Sequence, residues 1–293
     1  MGKYIVVTGG AGFVGSNLIN YFLKKTKYRV ISIDDYSSGT KKNHIINRRI
    51  HYIKGKTKNI SQILEKKKKN INAIFHFGEF ARIYQSFLKM SQCLESNSVG
   101  SHAVFNFCLT NNIKLIYSAT SASLGNKGKD ENLSPYAFTK SKNLELLDNL
   151  KKWFKMKYEV IYFYNVYGPN QICKGDMATV IGIFEEHYKK KKPLPIVKPG
   201  TQSRKFTHIS DTIKICFEAW RKNKCRQYSI SSKKNFTIIE VAQLFKSKIK
   251  YLPPRKGERY ASALASLNLS NKVFKKFGNT SLKKYVKNFI EEK

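Results

Sequence analysis

The sequence predicts an α/β fold: a doubly wound parallel sheet with helices on both faces, and a smaller α/β subdomain toward the C-terminus. Three observations lead there. Apolar runs without polar alternation recur between helical patterns, spaced glycines stand where the first run meets the first helix, and the alternation stops after Gly168-Pro169.

Lys3–Thr8, Arg29–Asp34, Ile50–Lys54, Ala73–Phe77 and Lys114–Ser118 are rich in Ile, Val, Phe or Tyr. Runs with no polar side suit strands covered on both faces. Helical periodicity occupies about Val14–Lys25, Ser61–Lys68, Gln92–Asn111 and Tyr136–Lys155, and Glu159–Asn165 gives a further strand. Strand–helix alternation of this kind implies parallel pairing through crossover helices. Later, a helix near Thr179–Lys190 stops at Pro193 and Pro195, and Pro199-Gly200 marks a turn. Thr237 with Glu240 three residues on reads as a capping box opening a helix over Thr237–Lys248. With no repeat, heptad run or flexible linker, residues 169–293 are expected to pack against residues 1–168.

Composition narrows the function classes. A chain that is 41% hydrophobic and 13% aromatic can fill a core, which excludes wholesale disorder. The net charge of +36 arises from 46 Lys and nine Arg against 19 acidic residues. Nucleic-acid sites lean on arginine, whose rigid fork reads phosphates and bases. Here lysines are spread along the chain, with runs at Lys66–Lys69 and Lys189–Lys192, so a solvated basic surface is expected and no specific nucleic-acid partner. Such a surface steers anionic substrates. No apolar stretch reaches membrane-spanning length and Tyr4–Thr8 is too short for a signal sequence, which favours a soluble cytoplasmic protein with no membrane partner. Five scattered cysteines form no close metal-type pairs, so free thiols and no metal are expected.

Gly9, Gly12 and Gly15 lie in Thr8-Gly9-Gly10-Ala11-Gly12-Phe13-Val14-Gly15, at the junction of the first strand and helix. This spacing allows a sharp turn, close approach of a pyrophosphate and tight helix–strand packing, with free amides at the helix start. Asp34 ends the next strand, placed to accept hydrogen bonds from ribose hydroxyls and to repel a 2′-phosphate. The first domain is therefore Rossmann-type, with NAD preferred over NADP.

Tyr136 and Lys140 are one helical turn apart in Ser134-Pro135-Tyr136-Ala137-Phe138-Thr139-Lys140. A free phenol, with a pKa of about 10, is a poor base at neutral pH. A neighbouring ammonium and an oxidised nicotinamide both favour phenolate, which brings the tyrosine into range as a general base.

With these residues goes a series of ordered motifs: Asp34-Asp35-Tyr36-Ser37-Ser38-Gly39, Phe75-His76-Phe77, Asn97 with Gly100, Tyr117–Gly125, Asn165-Val166-Tyr167-Gly168-Pro169, Gln202–Asp211 and Pro254-Arg255-Lys256-Gly257-Glu258. Spanning residues 3 to about 262, the chain resembles the extended short-chain dehydrogenase/reductase superfamily, in its NAD-dependent nucleotide-sugar epimerase/dehydratase branch. That resemblance implies a catalytic set of Tyr136, Lys140 and Thr120. It implies an NAD site of Gly9, Gly12, Phe13, Val14, Gly15, Asp34, Asp35, Ser38, Gly39, Phe77 and Lys140. It also gives substrate contacts to Asn165, Arg204 and Arg255, the arginines acting as diphosphate clamps. His76 and His208 read as structural.

Dehydratases of this branch follow the catalytic hydroxyl residue with acidic residues that expel the 6-hydroxyl. Here Ser121 and Ala122 stand there, so resemblance to UDP-hexose 4-epimerases ranks first. The implied reaction is C4 epimerisation of a nucleotide-diphosphate sugar, UDP-glucose/galactose or N-acetylhexosamine type, through a transient 4-keto sugar. A 4,6-dehydratase or 4-reductase on the same scaffold is the alternative, and a non-catalytic NAD- or nucleic-acid-binding protein a lesser one. Ser262, where some epimerases carry a bulky Tyr, leaves room for an N-acetyl group. The resemblance further implies a homodimer paired through Gln92–Asn111 and Tyr136–Lys155, with residues 169–293 mainly binding substrate. Several residues depart from the family pattern. Lys56 replaces an acid beside the adenine, Lys205 an acid after Arg204, and Val197 a flat side chain over the base. Gly78-Glu79 stands in place of two small residues.

Overall fold

The computed structural model describes residues 3–121, 132–222, 227–229, 232, 234–255 and 277–292. Six strands come first: β1 (Tyr4–Thr8), β2 (Arg29–Asp34), β3 (Ile50–Lys54), β4 (Ile71–His76), β5 (Lys114–Thr120) and β6 (Tyr158–Phe163). The short strands β7 (Val166–Tyr167), β8 (Leu194–Val197), β9 (Ser203–Lys205) and β10 (Thr207–His208) precede β11 (Gln227–Ser229), which returns to the large sheet. The sheet runs β11-β6-β5-β4-β1-β2-β3 with every pairing parallel. This order places a crevice above the carboxyl ends of β1 and β4, where the winding direction reverses.

The helices are α1 (Phe13–Lys25), α2 (Ile60–Leu64), α3 (Ile83–Leu88), α4 (Met90–Leu94), α5 (Ser101–Thr110), α6 (Pro135–Phe154), α7 (Val180–Lys189), α8 (Ile209–Lys222), α9 (Ile238–Leu244) and α10 (Leu282–Glu291). Strand residues alternate between two apolar layers because successive side chains point to opposite faces. Val6, Ile74, Leu115 and Tyr117 meet Phe105, Phe107 and Leu147 of α5 and α6. Ile5, Val7, Phe75 and Ile116 meet Leu18 and Phe22 of α1 and Ile213 of α8. Burying each such side chain stabilises the fold by about 1.5–3 kcal/mol. None of the described helices is long and apolar enough to cross a membrane.

The smaller module has its own core of Tyr167, Phe184, Phe206, Phe236, Phe245 and Val286. β12 (Asn235–Thr237) pairs with β9 and β13 (Ile249–Leu252) with β8. The division drawn at residue 168 does not follow the layers. Residues of α8 and β11 pack with α1 and extend the large sheet, because α8 is amphipathic and its apolar side has Phe22 and Phe75 to cover. Thr237 and Glu240 form the expected capping box, with N–H···O distances of 3.1 and 2.7 Å. Their helix stops at Leu244, near Lys246 at φ 51°, so the expected extent to Lys248 is too long. The helix expected over Ser61–Lys68 ends at Leu64 and continues as 3₁₀ turns through the lysine run.

The expected single helix Gln92–Asn111 is interrupted. Between α4 and α5 the backbone makes a π-helical turn over Glu95–Gly100, which aims Asn97 into the core. The Asn97 amide accepts from the Phe80 N–H at 2.7 Å and donates to the Phe80 carbonyl at 3.0 Å and to Thr139 at 3.2 Å. Gly100 makes room for the bulge against Thr57, whose Oγ1 would lie 2.3 Å from an added Cβ. Replacing Asn97 by Ala orphans both backbone groups of Phe80. Urea unfolding of Asn97→Ala should show a loss of about 2–3 kcal/mol with an unchanged m-value.

Candidate active site

The glycine turn is built by close backbone approach. Gly9 sits at φ +68°, and a Cβ there would lie 2.8 Å from the Gly78 nitrogen and 2.9 Å from the Phe77 carbonyl. At Gly15 an added Cβ would meet the Gly9 oxygen at 2.2 Å. No side chain caps the N-terminus of α1, which leaves its first-turn amides open. Asp34 accepts from the Ala11 amide at 2.9 Å and the Tyr36 amide at 2.8 Å. Burial raises its pKa and the two amides oppose the rise. Gly39 backs onto this carboxylate, with an added Cβ only 2.7 Å from Oδ1. The residues present therefore fit a dinucleotide: uncapped amides and no Cβ where phosphates approach, and a fixed carboxylate at the end of β2.

Tyr136 opens α6, which Ser134 caps by accepting from the Ala137 amide at 3.1 Å. Its phenol hydrogen-bonds to Thr120 at the end of β5. Lys140, one turn on, is 3% exposed, and its ammonium donates to the Ser118 carbonyl and to Glu79. Glu79, unexplained by sequence, lies with its side chain 2% exposed. It accepts from Ser101 at 2.8 Å, from Tyr117 at 3.1 Å and from Asn143 at 3.4 Å.

A single line of donors reaches this carboxylate from the glycine turn. The amides of Phe77 and Gly78 donate to Thr8 Oγ1 at 3.1 and 3.0 Å. Thr8 lies 2.8 Å from His76 Nδ1, and His76 Nε2 lies 2.9 Å from Ser101 Oγ. Because Ser101 donates to Glu79, it accepts from His76, so the proton sits on Nε2 and Thr8 donates to Nδ1. Burial drives the His76 pKa down to about 4.

The expected acidification of Tyr136 by Lys140 is not what this arrangement gives. Burial, with the Glu79 charge adding to it, pushes the phenol up to about 12, while the Thr120 hydrogen bond and the Arg82 charge pull it down. The Lys140 ammonium is paired with Glu79, and it is the Glu79 charge that acts on the phenol, in the raising direction.

These groups share one cleft of about 800 Å³ with Gly9, Gly12, Phe13, Val14, Gly15, Asp34, Asp35, Ser38 and Phe77. Asn165, Arg204 and Arg255 line it too, as do Ser121 and Val197. Asn165, at φ 35°, donates to the Lys205 carbonyl at 2.9 Å. Arg204 donates to the Ser203 carbonyl at 2.9 Å, and the Arg255 guanidinium lies 5.4 Å from the Tyr84 ring centroid. Lys56 and Lys58 both pair with Glu95, at 3.1 and 2.7 Å, so the acid missing at position 56 is replaced by a different charge arrangement on that rim. Ser262 and Ala122 lie outside the described residues. Arg82, which sequence reasoning passed over, also lines the cleft. Its signal was available: it is one of only nine arginines, three residues after the anomalous Glu79. Among the described residues no group of three or more His, Cys, Asp or Glu gathers as a metal site.

A dinucleotide turn, a Tyr–Lys–Thr cluster and these arginines in one cleft define the short-chain dehydrogenase/reductase class of NAD-dependent enzymes. The sequence profile of the NAD dependent epimerase/dehydratase family matches residues 5–231, and the chain belongs to that family. It is 32% identical over 229 residues, 72% of this chain and 70% of the other, to an uncharacterized UDP-glucose epimerase, YtcB, of Bacillus subtilis. Its fold superposes on the UDP-glucose 4-epimerase of Thermotoga maritima with a TM-score of 0.89 at 24% identity, covering 99% and 98% of the two chains. A UDP-N-acetylglucosamine 4-epimerase of Methanobrevibacter ruminantium gives 0.83 at 26% identity, covering 100% and 99%.

His76 makes the folded state sensitive to acid. Its folded pKa of about 4 lies below the ordinary 6.5, so the unfolded chain binds more protons between those values. Stability contributed by neutral His76 should be complete above about pH 6.5 and fall by roughly 3 kcal/mol as pH drops through 4. Denaturant unfolding across that range should show a flatter profile for His76→Gln, whose amide can accept from Thr8 and donate to Ser101.

Proposed function

We propose that the protein epimerises C4 of a nucleotide-diphosphate sugar, of the UDP-glucose/galactose or UDP-N-acetylhexosamine type, through a transient 4-keto sugar. One observation carries the reading: the Tyr136 phenol, hydrogen-bonded to Thr120, stands in the same cleft as the glycine turn and the two arginines. The glycine turn and Asp34 would hold NAD, which when bound supplies reversible hydride acceptance at C4. Tyr136 takes the 4-hydroxyl proton as general base and later returns it. Thr120 bridges phenol and sugar hydroxyl as a proton relay. Lys140 uses two of its three donors on Glu79 and Ser118, leaving one for a ribose hydroxyl. Arg204 and Arg255 grip the diphosphate, and Asn165 contacts the substrate near it. Ser121 lines the cleft and cannot shuttle a proton at neutral pH, which favours epimerisation over elimination.

A homodimer fits the surface of the two long helical segments. Val99 is 55% exposed and Phe138 43%, and Trp153 and Phe154 are exposed as well. The reducing cytoplasm is the proposed compartment, supported by described cysteines that are all free. The smaller module, outside α8 and β11, supplies the substrate side of the cleft.

The decisive experiment incubates the protein with UDP-, GDP- and dTDP-sugars and identifies products by NMR. Interconversion of C4 epimers with no net redox change supports the reading, and a 4-keto-6-deoxy product overturns it. Tyr136→Phe should lower kcat by about 1,000-fold while bound NAD is retained. Light scattering should give a dimer mass for the native chain and a monomer mass for Val99→Glu combined with Phe138→Glu.

A further inference from the structure

Arg82 is the N-cap residue of α3, and α3 packs on the first turn of α6. The link is short: the Ser86 amide donates to the Arg82 carbonyl at 3.1 Å, and the Tyr136 amide donates to Ser86 Oγ at 3.3 Å. Phe80 and Ile83, on either side of Arg82, pack against Tyr136, Ala137 and Cys93. The guanidinium is held by backbone carbonyls, Ala81 at 2.7 Å and Met177 from the smaller module. Its Nε is buried with no hydrogen-bond partner, and no carboxylate among the described residues forms an ion pair with it. A guanidinium keeps its proton under such conditions, so a fixed positive charge faces a cleft that also holds Tyr136.

We propose that Arg82 is a positioning residue that stabilises the Tyr136 phenolate, taking over a duty from Lys140, whose ammonium Glu79 neutralises. Two charged residues of one loop thereby explain each other. Glu79 removes a cation from the phenol, and Arg82 restores one from the start of α3, which packs on α6. Charge interactions between Arg82 and Tyr136 run in the sense this requires, each favouring the ionised form of the other. Carbonyl anchors suit the task, because they fix the guanidinium without cancelling its charge.

The proposal rests on the reading of Tyr136 as the general base, and its test does not need turnover. In NAD-loaded protein labelled at tyrosine Cζ, NMR follows each phenol through its titration, with Tyr136→Phe identifying the resonance. Arg82→Gln and the uncharged Arg82→Met should raise the Tyr136 midpoint by about one unit or more, Arg82→Lys should restore most of it, and Glu79→Gln should lower it. With an active wild type, the acid limb of kcat/KM should move with the midpoint, and kcat at neutral pH should fall about tenfold per unit. An unchanged midpoint in the folded Arg82 variants overturns the proposal. So does a loss confined to UDP-hexuronates with UDP-hexoses unaffected, since Arg82 would then be a receptor for a sugar carboxylate. A shifted midpoint in a protein that turns over no sugar leaves the proposal standing and removes the epimerase reading instead.

Discussion

The buried ion pair between Glu79 and Lys140 is the interaction around which the site is organised. Removing two charges from water costs several kcal/mol per ion, and mutual attraction repays this only when the remaining donors and acceptors are satisfied. Here they are. Ser101, Tyr117 and Asn143 all donate to the carboxylate, and the ammonium has the Ser118 carbonyl as a second acceptor. The Lys140 ammonium also lies 4.6 Å from the Tyr117 ring centroid. The pair is rigid for the same reason that it is tolerable, so it fixes the start of α6 against the ends of β4 and β5. Tyr136 and Thr120 inherit that placement.

From Ser101 the same network runs back through His76 and Thr8 to the amides of Phe77 and Gly78, beside the glycine turn. Gly9 and Gly78 approach so closely that neither tolerates a Cβ without backbone movement. The dinucleotide half and the proton-transfer half of the cleft therefore share one set of backbone positions. Parallel topology makes this natural, because β1, β2, β4 and β5 all end on the same edge of the sheet. Side chains far apart in sequence, such as Asp34, Thr120 and Tyr136, come from the ends of strands or the start of a helix on that edge.

Much of this was legible in the sequence, and the limits were physical. The strands were readable because buried runs such as Tyr4–Thr8 carry no charged residue and no polar alternation that would blur their period, and the glycine turn because its spacing reflects steric need. The interruption at Asn97 was not readable, since a π-helical turn leaves the residues around it looking like one helix. Its cause is the unsatisfied backbone of Phe80, seventeen positions away. Nor could the return of α8 and β11 to the large sheet be read from local pattern, since it is settled by which apolar faces remain uncovered. Tyr136 and Lys140 stood out by their spacing, yet the electrostatics between them did not. That depends on Glu79, an isolated acid whose meaning lies in burial and partners.

Glu79 also bears on which chemistry the cleft performs. It is a carboxylate lining the same cleft as Tyr136, and elimination of a 6-hydroxyl needs an acid in that region, a role that Ser121 and Ala122 leave open. Its bonding argues against Glu79 in that role. One oxygen is taken by Lys140, and the other accepts from Ser101, Tyr117 and Asn143. A carboxylate so fully supplied with donors has no free position at which to meet a leaving hydroxyl. Its partner Lys140 is buried as well, so the carboxylate is also the counter-charge that makes that ammonium tolerable there. The acid in this cleft is thus structural in its action. On the proposed reading, catalysis falls to the phenol and its hydroxyl relay, which suffice for moving one proton on and off the same oxygen, the single acid–base task that epimerisation at C4 requires.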